Sequence, residues 1–391
     1  MQKFTAPIPL SLYIHIPWCV RKCPYCDFNS HEGKQAFSED VYVDALLQDL
    51  TENLPAIWGR RLTSIFFGGG TPSLFAPASI EKIISGVNNL LNIGPNIEIT
   101  LEANPGTVDE SRFAGFRQAG VNRLSLGIQS LQDEKLLKLG RIHNREYALR
   151  AIDAAQRAGF ENMNLDLMHG LPNQSLDDAR QDLEDALAWK TPHLSWYQLT
   201  IEPNTLFHHK PPALPEDETL WDIQEAGGKI LTEHHLEQYE VSAYSLPGRE
   251  CQHNLNYWEF GDYLGIGAGA HSKITNVDQN IITRHWQMKN PKDYLNPNKA
   301  FKAEETILAQ SDVIFEFMLN ALRLSKGVST TIFTERTGLP ISVIEPLLIE
   351  AKRKKLLCDD AFILRSTELG QRFLNDLVGM FMPNASHPKS N

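Results

Sequence analysis

Three cysteines, Cys19, Cys23 and Cys26, fall within eight residues in the stretch Tyr-Ile-His-Ile-Pro-Trp-Cys-Val-Arg-Lys-Cys-Pro-Tyr-Cys-Asp-Phe-Asn from Tyr13 to Asn29. Cysteines this crowded point to a metal. A zinc site closed by cysteines takes paired CxxC units, or CxxC with a distant HxxxH, whereas three thiolates on one short loop suit an iron–sulfur cluster. A cubane 4Fe-4S cluster has four irons, so three thiolates leave one of them open for chemistry. The competing reading is a redox-sensitive or zinc-binding cysteine loop.

The CxxxCxxC spacing, with the aromatic Tyr25 just before the last cysteine, resembles the signature of radical S-adenosylmethionine (SAM) proteins. In that superfamily the amino and carboxylate groups of SAM chelate the open iron, and an electron from the cluster splits the sulfonium to a 5′-deoxyadenosyl radical. A pocket for SAM needs a separate tool for its carboxylate, its cationic sulfur, its ribose and its adenine. Gly69, Gly70 and Thr71, in Gly68-Gly69-Gly70-Thr71-Pro72, offer backbone groups to the methionine end. Glu102 can bind the ribose hydroxyls or the amino group, or cap a turn in solvent. Gln129, Arg141 and Asp166 add an amide, a guanidinium and a carboxylate. Arg141 can pair bidentately with the SAM carboxylate or with an acid on a helix surface.

These residues must be positioned by a scaffold, and the hydrophobic pattern supplies one. The apolar run Leu10 to Ile16 reads as a buried strand that ends at the cysteine loop. Further strands are expected at Leu62 to Phe67, Ile97 to Leu101, Arg123 to Ile128, Asn162 to Leu167 and His193 to Thr200. Helices are expected at Ser38 to Leu54 with Ser38 as N-cap, Ala78 to Leu91, Asp109 to Ala119, Asp133 to Ala158 with a break near Gly140-Arg141, and Ser175 to Ala188. Six strand–helix units in sequence call for a parallel sheet with right-handed crossovers, curled into a full or partial barrel. Every unusual residue named above falls at a strand's carboxyl end or in the loop after it, the edge where such barrels carry their sites. A doubly wound open sheet would carry a Gly-rich loop after its first strand, where this chain has cysteines.

Pro203 to Pro215, with His208 and His209, reads as a solvated crossover loop, followed by a helix over Glu216 to His235 and an edge strand over Tyr239 to Tyr244. The stretch Tyr263 to Ser272 resembles a dinucleotide fingerprint only superficially and reads as a backbone approach to a ligand. Asn296 to Glu304 reads as a linker. Helices at Glu305 to Leu324, Thr330 to Thr337 and Ile341 to Lys354, with a hairpin around Leu356 to Leu364, then form a winged-helix-like unit. The expected fold is α/β: a partial (β/α)6 radical-SAM barrel over residues 1–240, a connecting segment over 241–300, an α-rich, winged-helix-like domain over 301–380 and a disordered tail over 381–391.

In 391 residues the apolar content is 42% and the net charge −11. The acidic balance argues against nucleic-acid binding, which needs a basic face. No apolar run approaches the roughly 18 residues of a membrane span. The N-terminus lacks the apolar core of a signal peptide, and five cysteines without a disulfide pattern fit a reducing cytoplasm. Peripheral membrane contact, and the choice between monomer and dimer, stay open.

Tyr-Ile-His-Ile-Pro-Trp-Cys-x3-Cys-Pro-Tyr-Cys, Phe-Phe-Gly-Gly-Gly-Thr-Pro-Ser, Leu-Glu-Ala-Asn-Pro, Leu-Ser-Leu-Gly-Ile-Gln-Ser and Leu-Met-His-Gly-Leu-Pro-Asn-Gln together resemble the oxygen-independent coproporphyrinogen III oxidase group. The resemblance implies Cys19, Cys23 and Cys26 as cluster ligands. It implies a SAM pocket of Tyr13, Tyr25, Gly69, Gly70, Thr71, Glu102, Gln129, Arg141 and Asp166. Two departures matter. Oxidases of the group carry a further cysteine two places after the third, where this chain has Phe28, and an N-terminal arm before the first strand, which here begins near residue 10. Both match the sister branch of haem chaperones, marked by His-Asn-x-x-Tyr-Trp, here His253-Asn254-Leu255-Asn256-Tyr257-Trp258.

That motif suits haem: an imidazole can ligate iron axially, and Tyr257 and Trp258 offer flat faces to a macrocycle. The bland alternative has His253 and Asn254 capping a turn and Trp258 filling the core. Cys251 is either an assistant in attachment or inert. Two functions follow: a cytoplasmic carrier that binds haem near His253 and passes it to acceptor proteins, or an oxidase that decarboxylates the propionates of coproporphyrinogen III.

Overall fold

The computed structural model describes residues 3–4, 7–33, 38–91 and 93–383. The tail expected to be disordered therefore lies, beyond Pro383, outside the described residues. Twelve strands form one sheet: β1 Leu10–Ile16, β2 Leu62–Gly69, β3 Ile93–Ala103, β4 Arg123–Gln129, β5 Met163–His169, β6 His193–Gln198, β7 Glu237–Glu240, β8 Ala243–Ser245, β9 Asp262–Ile266, β10 His271–Asn276, β11 Ile281–Gln287 and β12 Lys302–Ile307. Their spatial order is β12-β11-β10-β9-β1-β2-β3-β4-β5-β6-β8-β7. Strands β1 to β6 are parallel and neighbour one another in sequence order. They form the partial barrel, and its helices are α1 Glu39–Ile57, α2 Pro77–Leu90, α3 Glu110–Gln118, α4 Asp133–Lys138, α5 Arg145–Arg157 and α6 Leu176–Leu187.

The helices begin where the sequence offers caps. Ser38 Oγ accepts from Val41 N at 3.2 Å, and Asn144 Oδ1 from Tyr147 N at 3.0 Å. Ser175 and Asp178 close a reciprocal capping box that heads α6. The expected break near Gly140-Arg141 is the connection between α4 and α5.

Because side chains alternate along a strand, each barrel strand has an apolar face and a second face turned into the barrel. Leu12, Ile14, Ile65, Phe67, Ile99, Leu101, Leu124, Leu126, Leu165, Leu167 and Leu194 share the main core with Tyr42, Val43 and Leu46 of α1. The alternate set, Ser11, Tyr13, His15, Ser64, Phe66, Glu98, Thr100, Glu102, Arg123, Ser125, Asn164, Asp166, His193 and Ser195, lines the lumen. Most of these lumen residues are polar or charged.

The sheet runs further than six strand–helix units. After α7 Leu206–His209 and α8 Asp217–Glu233, β7 and β8 form an antiparallel hairpin on β6. Helix α9, Gln252–Trp258, carries the His-Asn-x-x-Tyr-Trp motif, and β9 then pairs in parallel with β1. Strands β10, β11 and β12 continue as an antiparallel meander, with α10 Pro291–Tyr294 before β12. Tyr263 to Ser272 forms β9, a turn and the start of β10, and its glycines let the turn come close to the cysteine loop. Asn29 Nδ2 of the cysteine loop donates to Ala268 O at 2.9 Å, and a Cβ on Gly269 would lie 2.1 Å from that nitrogen. The supposed linker Asn296 to Glu304 ends inside β12, so the next helix, α11 Gln310–Ala321, starts later than the apolar pattern suggests.

The remaining elements are α12 Thr330–Thr337, α13 Glu345–Arg353, α14 Glu368–Arg372 and α15 Leu374–Gly379. The wing is a pairing of Val328–Ser329 with Ile363–Leu364 rather than a hairpin within 356–364. Phe317, Phe333, Leu348, Leu364 and Leu377 form the core of this unit together with Phe260 and Ile282, while Leu255 and Trp258 of α9 pack against it. Helix α9 thus touches both the barrel and the C-terminal unit. No helix among the described residues is long and apolar enough to cross a membrane.

Candidate functional site

The cysteine loop leaves the end of β1 and is pinned on three sides. Gly70 N donates to Ile16 O and Thr71 N to Trp18 O, each at 2.8 Å, which holds the glycine turn against the residues just before Cys19. A Cβ on Gly70 would sit 2.5 Å from Trp18 O, so only glycine fits there. His15 Nε2 lies 2.9 Å from Asn29 O and its Nδ1 3.0 Å from Tyr13 Oη. A carbonyl can only accept, so Nε2 carries the proton and Tyr13 Oη donates to Nδ1. Gly69, at φ +116°, passes over this imidazole, where a Cβ would meet His15 Cε1 at 2.7 Å. On the third side Arg21 donates to Arg141 O at 3.2 Å, and Gly140, at φ +69°, abuts Pro24.

The three cysteines are free and half-buried. Thr71 Oγ1 donates to Cys19 Sγ at 3.7 Å and Arg141 Nη1 to Cys23 Sγ at 3.6 Å, while Cys26 Sγ lies 3.8 Å from Ser30 Oγ. Burial pushes the Cys19 and Cys26 thiols above their usual range. Three thiols on one short loop fit a cube, which attaches each thiolate to a different iron, better than a closed zinc site.

The expected pocket residues share the rim above the lumen. Glu102, at the end of β3, accepts from Gly69 N at 3.2 Å; burial, with Asp166 nearby, raises its carboxyl to about 8. Asp166 accepts from Ser125 Oγ at 3.0 Å and Asn164 Nδ2 at 2.8 Å, and burial raises it too. Gln129 sits in the left-handed region at φ +69°, at a register shift that ends β4, and its Oε1 accepts from Tyr197 Oη at 2.8 Å. Among the described residues Arg141 pairs with no helix-surface acid. Its Nη2 donates to Gly127 O at 2.7 Å, its Nη1 reaches Cys23, and its Nε has no partner. Burial alone would lower its pKa, but Tyr25 and Cys23 beside it hold it raised. Tyr25 lies in the loop with its ring 6.3 Å from Phe207.

His253 lies elsewhere, at the floor of the lumen. Helix α9 enters the barrel from the amino ends of the strands, and Glu98 seats it: this carboxylate accepts from Gln252 N and His253 N, each at 3.2 Å, and from Cys251 Sγ at 3.5 Å. Arg123 Nε, 4.0 Å from Glu98, has no hydrogen bond although the side chain is 2% exposed. The imidazole of His253 lies 4.9 Å from the Phe66 ring, tilted 32° to it, with Tyr13 at 6.3 Å. Burial, with Arg123 nearby, lowers its pKa to about 3, so it is neutral. Cys251 is sealed beside it, its thiol pushed up to about 12 by burial. Tyr257 and Trp258 face the C-terminal side: Tyr257 Oη meets Tyr263 Oη at 2.9 Å, and Arg323 lies 4.3 Å over the Trp258 ring. His208 and His209 are exposed on α7 and join neither cluster. A groove of about 1390 Å³ lies between α8, β6, β8 and the C-terminal unit, bordered by Tyr197 and Arg323.

Residues 13–186 match the family model described as "Radical SAM superfamily", and residues 308–373 that described as "HemN C-terminal domain". The chain is 49% identical over 378 residues to the heme chaperone HemW of Haemophilus influenzae, covering 96% of this chain and 98% of that one. It is equally identical over 374 residues to heme chaperone HemW of Escherichia coli, and 33% identical over 381 residues to that of Bacillus subtilis. The chain belongs to the HemW family. The structure of coproporphyrinogen III oxidase from Escherichia coli, at 23% identity, superposes with a TM-score of 0.81 over 96% of this chain and 90% of that one, so HemW and that oxidase share a fold.

His15, Ser64, Glu98, Arg123 and Tyr197 are not singled out by any motif in the sequence. Their signal was present: polar residues at every second position of otherwise apolar strands mark a lumen rather than a solvent face.

Proposed function

We propose that this chain is a haem carrier that binds haem and passes it to acceptor proteins, with a 4Fe-4S cluster on Cys19, Cys23 and Cys26 and SAM at the rim above. What supports the cluster is the donor set: three free thiols on one loop, hydrogen bonds from Thr71 and Arg141 to two of them, and no room for a side chain at Gly70. What supports SAM is the ring of Tyr13, Tyr25, Gly69, Gly70, Thr71, Glu102, Gln129, Arg141 and Asp166 around that loop. When bound, the two together supply a one-electron reductant beside a sulfonium. The chain's residues do the rest: Arg141 offsets thiolate charge, Glu102 and Asp166 offer carboxyl groups to hydroxyls or an amine, and His15 ties Tyr13 to the loop.

The single observation that carries the haem reading is His253, a neutral imidazole on the family's His-Asn-x-x-Tyr-Trp helix. A neutral imidazole can ligate iron without first losing a proton. It is buried at the floor of the lumen, 7% exposed. An optical haem titration of the anaerobically reconstituted full chain, run beside an assay for conversion of coproporphyrinogen III, tests the reading. The carrier gives a saturable haem spectrum that changes in His253→Ala, and no porphyrinogen conversion. Protoporphyrinogen formation, or haem binding indifferent to His253→Ala, contradicts it.

A further inference from the structure

The hydrogen bonds beneath His253 form a chain whose protons can be counted. Thr63 Oγ1 donates to Leu10 O at 3.0 Å, an atom that can only accept. The single hydroxyl proton of Thr63 is therefore spent, and in its 3.1 Å contact with Ser11 Oγ it is Ser11 that donates. Ser11 Oγ in turn accepts from Ser64 Oγ at 2.8 Å and from Asn256 Nδ2 at 2.9 Å. With its own proton committed to Ser11, Ser64 Oγ can only accept in its 3.0 Å contact with His253 Nδ1. The proton on His253 must then sit on Nδ1. Nε2 keeps its lone pair and has no hydrogen-bond partner among the described residues.

The register explains why the chain exists. Ser11 and Ser64 are cross-strand partners on β1 and β2, both facing the lumen floor, and Asn256 reaches them from the same helix that carries His253. Reversing the chain would strip Leu10 O of its hydroxyl donor, an interior loss that the observed direction avoids.

We infer that Ser64, as the last link of the Ser64–Ser11–Thr63 hydroxyl chain, is a positioning residue that fixes His253 in the Nδ1–H tautomer and so makes Nε2 the atom that gives its electron pair to a metal. The tautomer is a property of the haem-free chain; that the recipient is haem iron rests on the function proposed above.

The test keeps these apart. In the haem-free full chain labelled with ¹⁵N at histidine, two-bond ¹H–¹⁵N correlations distinguish a protonated ring nitrogen from a bare one, and His253→Ala assigns the signal. The wild type shows a bare Nε2. Ser64→Ala turns the signal into a tautomer mixture, and Ser64→Thr, which restores the hydroxyl, returns it. Should Ser64→Ala not fold, Thr63→Val breaks the chain one step further away and gives the same shift in smaller measure. A protonated Nε2 in the wild type, or a tautomer unmoved by Ser64→Ala and Thr63→Val alike, overturns the inference. Haem affinity is measured separately and falls about tenfold or more in Ser64→Ala, the usual consequence of removing a ligand's outer hydrogen bond. A bare Nε2 together with haem binding indifferent to His253→Ala sinks the haem reading and leaves the tautomer standing.

Discussion

Replacing Glu98 by alanine tests whether α9 is held in the barrel as described. Three groups lose their acceptor: Gln252 N and His253 N at 3.2 Å, and Cys251 Sγ at 3.5 Å. Arg123, 2% exposed and 4.0 Å from the carboxylate, loses its nearest counter-charge and has no other hydrogen bond to fall back on. Breaking a buried ion pair from one side costs about 3–5 kcal/mol, and a stranded backbone N–H about 1–3 kcal/mol. These overlap, so Glu98→Ala should cost about 4–6 kcal/mol, a large part of the roughly 5–15 kcal/mol that holds most folded domains together. Arg123→Met in the same chain removes the uncompensated charge and should recover about half of the loss. The assay is urea unfolding of the apoprotein under anaerobic conditions, with hydrogen exchange at Gln252 and His253 as the local readout. A cost below about 1 kcal/mol, with both amides as protected as in the parent, refutes the seat.

Other outcomes follow from the same geometry. Gly70→Ala places a Cβ 2.5 Å from Trp18 O and 2.8 Å from its carbonyl carbon, backbone atoms that cannot yield. It should displace the loop and lower iron loading severalfold with all three cysteines present, as iron and sulfide analysis would report. Gly227→Ala on α8 puts a Cβ 1.8 Å from the Trp196 ring, far from the loop; it should lower thermal stability by about 1–3 kcal/mol and leave iron content unchanged. The pH profile of the apoprotein has a worked sign. His15, His143, His169 and His285 are lowered by burial to about 4 and His253 to about 3, so near pH 5 the unfolded chain holds five protons that the folded one refuses. Glu102, Asp49 and Asp182, raised by burial to about 8, 7 and 6, hold three that the unfolded chain releases. With His193 also lowered by burial, the unfolded chain holds the surplus of protons, so stability rises with pH there, and the histidine part fades above the ordinary imidazole range. The maximum should fall near neutrality, and urea midpoints measured from pH 4.5 to 8.5 check this; a flat profile between 4.5 and 6 contradicts it.

The barrel was legible because its strands and helices repeat with different periods, and each strand stops at a residue that cannot continue it. Caps such as Ser38 and Ser175 set helix starts where expected, since a side-chain oxygen three residues before a free backbone N–H is a local matter. The meander β10 to β12 was not legible. His271 to Asn276 and Lys302 to Ile307 mix polar and apolar residues without clear alternation, and only pairing along the β1 edge makes strands of them. Cys19, Cys23, Cys26 and the rim residues could be found by spacing and strand-end position. The floor was legible only as a lumen-facing pattern, because what Ser64 and Glu98 do there depends on His253, 189 and 155 residues further along the chain. His253 could be found from its motif, whereas its place at the lumen floor beside Phe66 depends on where α9 enters the barrel.

The account depends most on the three-cysteine loop and its rim forming one centre. Electron paramagnetic resonance of the anaerobically reconstituted, reduced chain, with and without SAM, tests that directly. It predicts a 4Fe-4S signal that changes on adding SAM, is lost when Cys19, Cys23 and Cys26 are replaced by alanine, and responds weakly to SAM in Glu102→Ala. A signal that SAM leaves untouched, or one that survives the triple replacement, contradicts it.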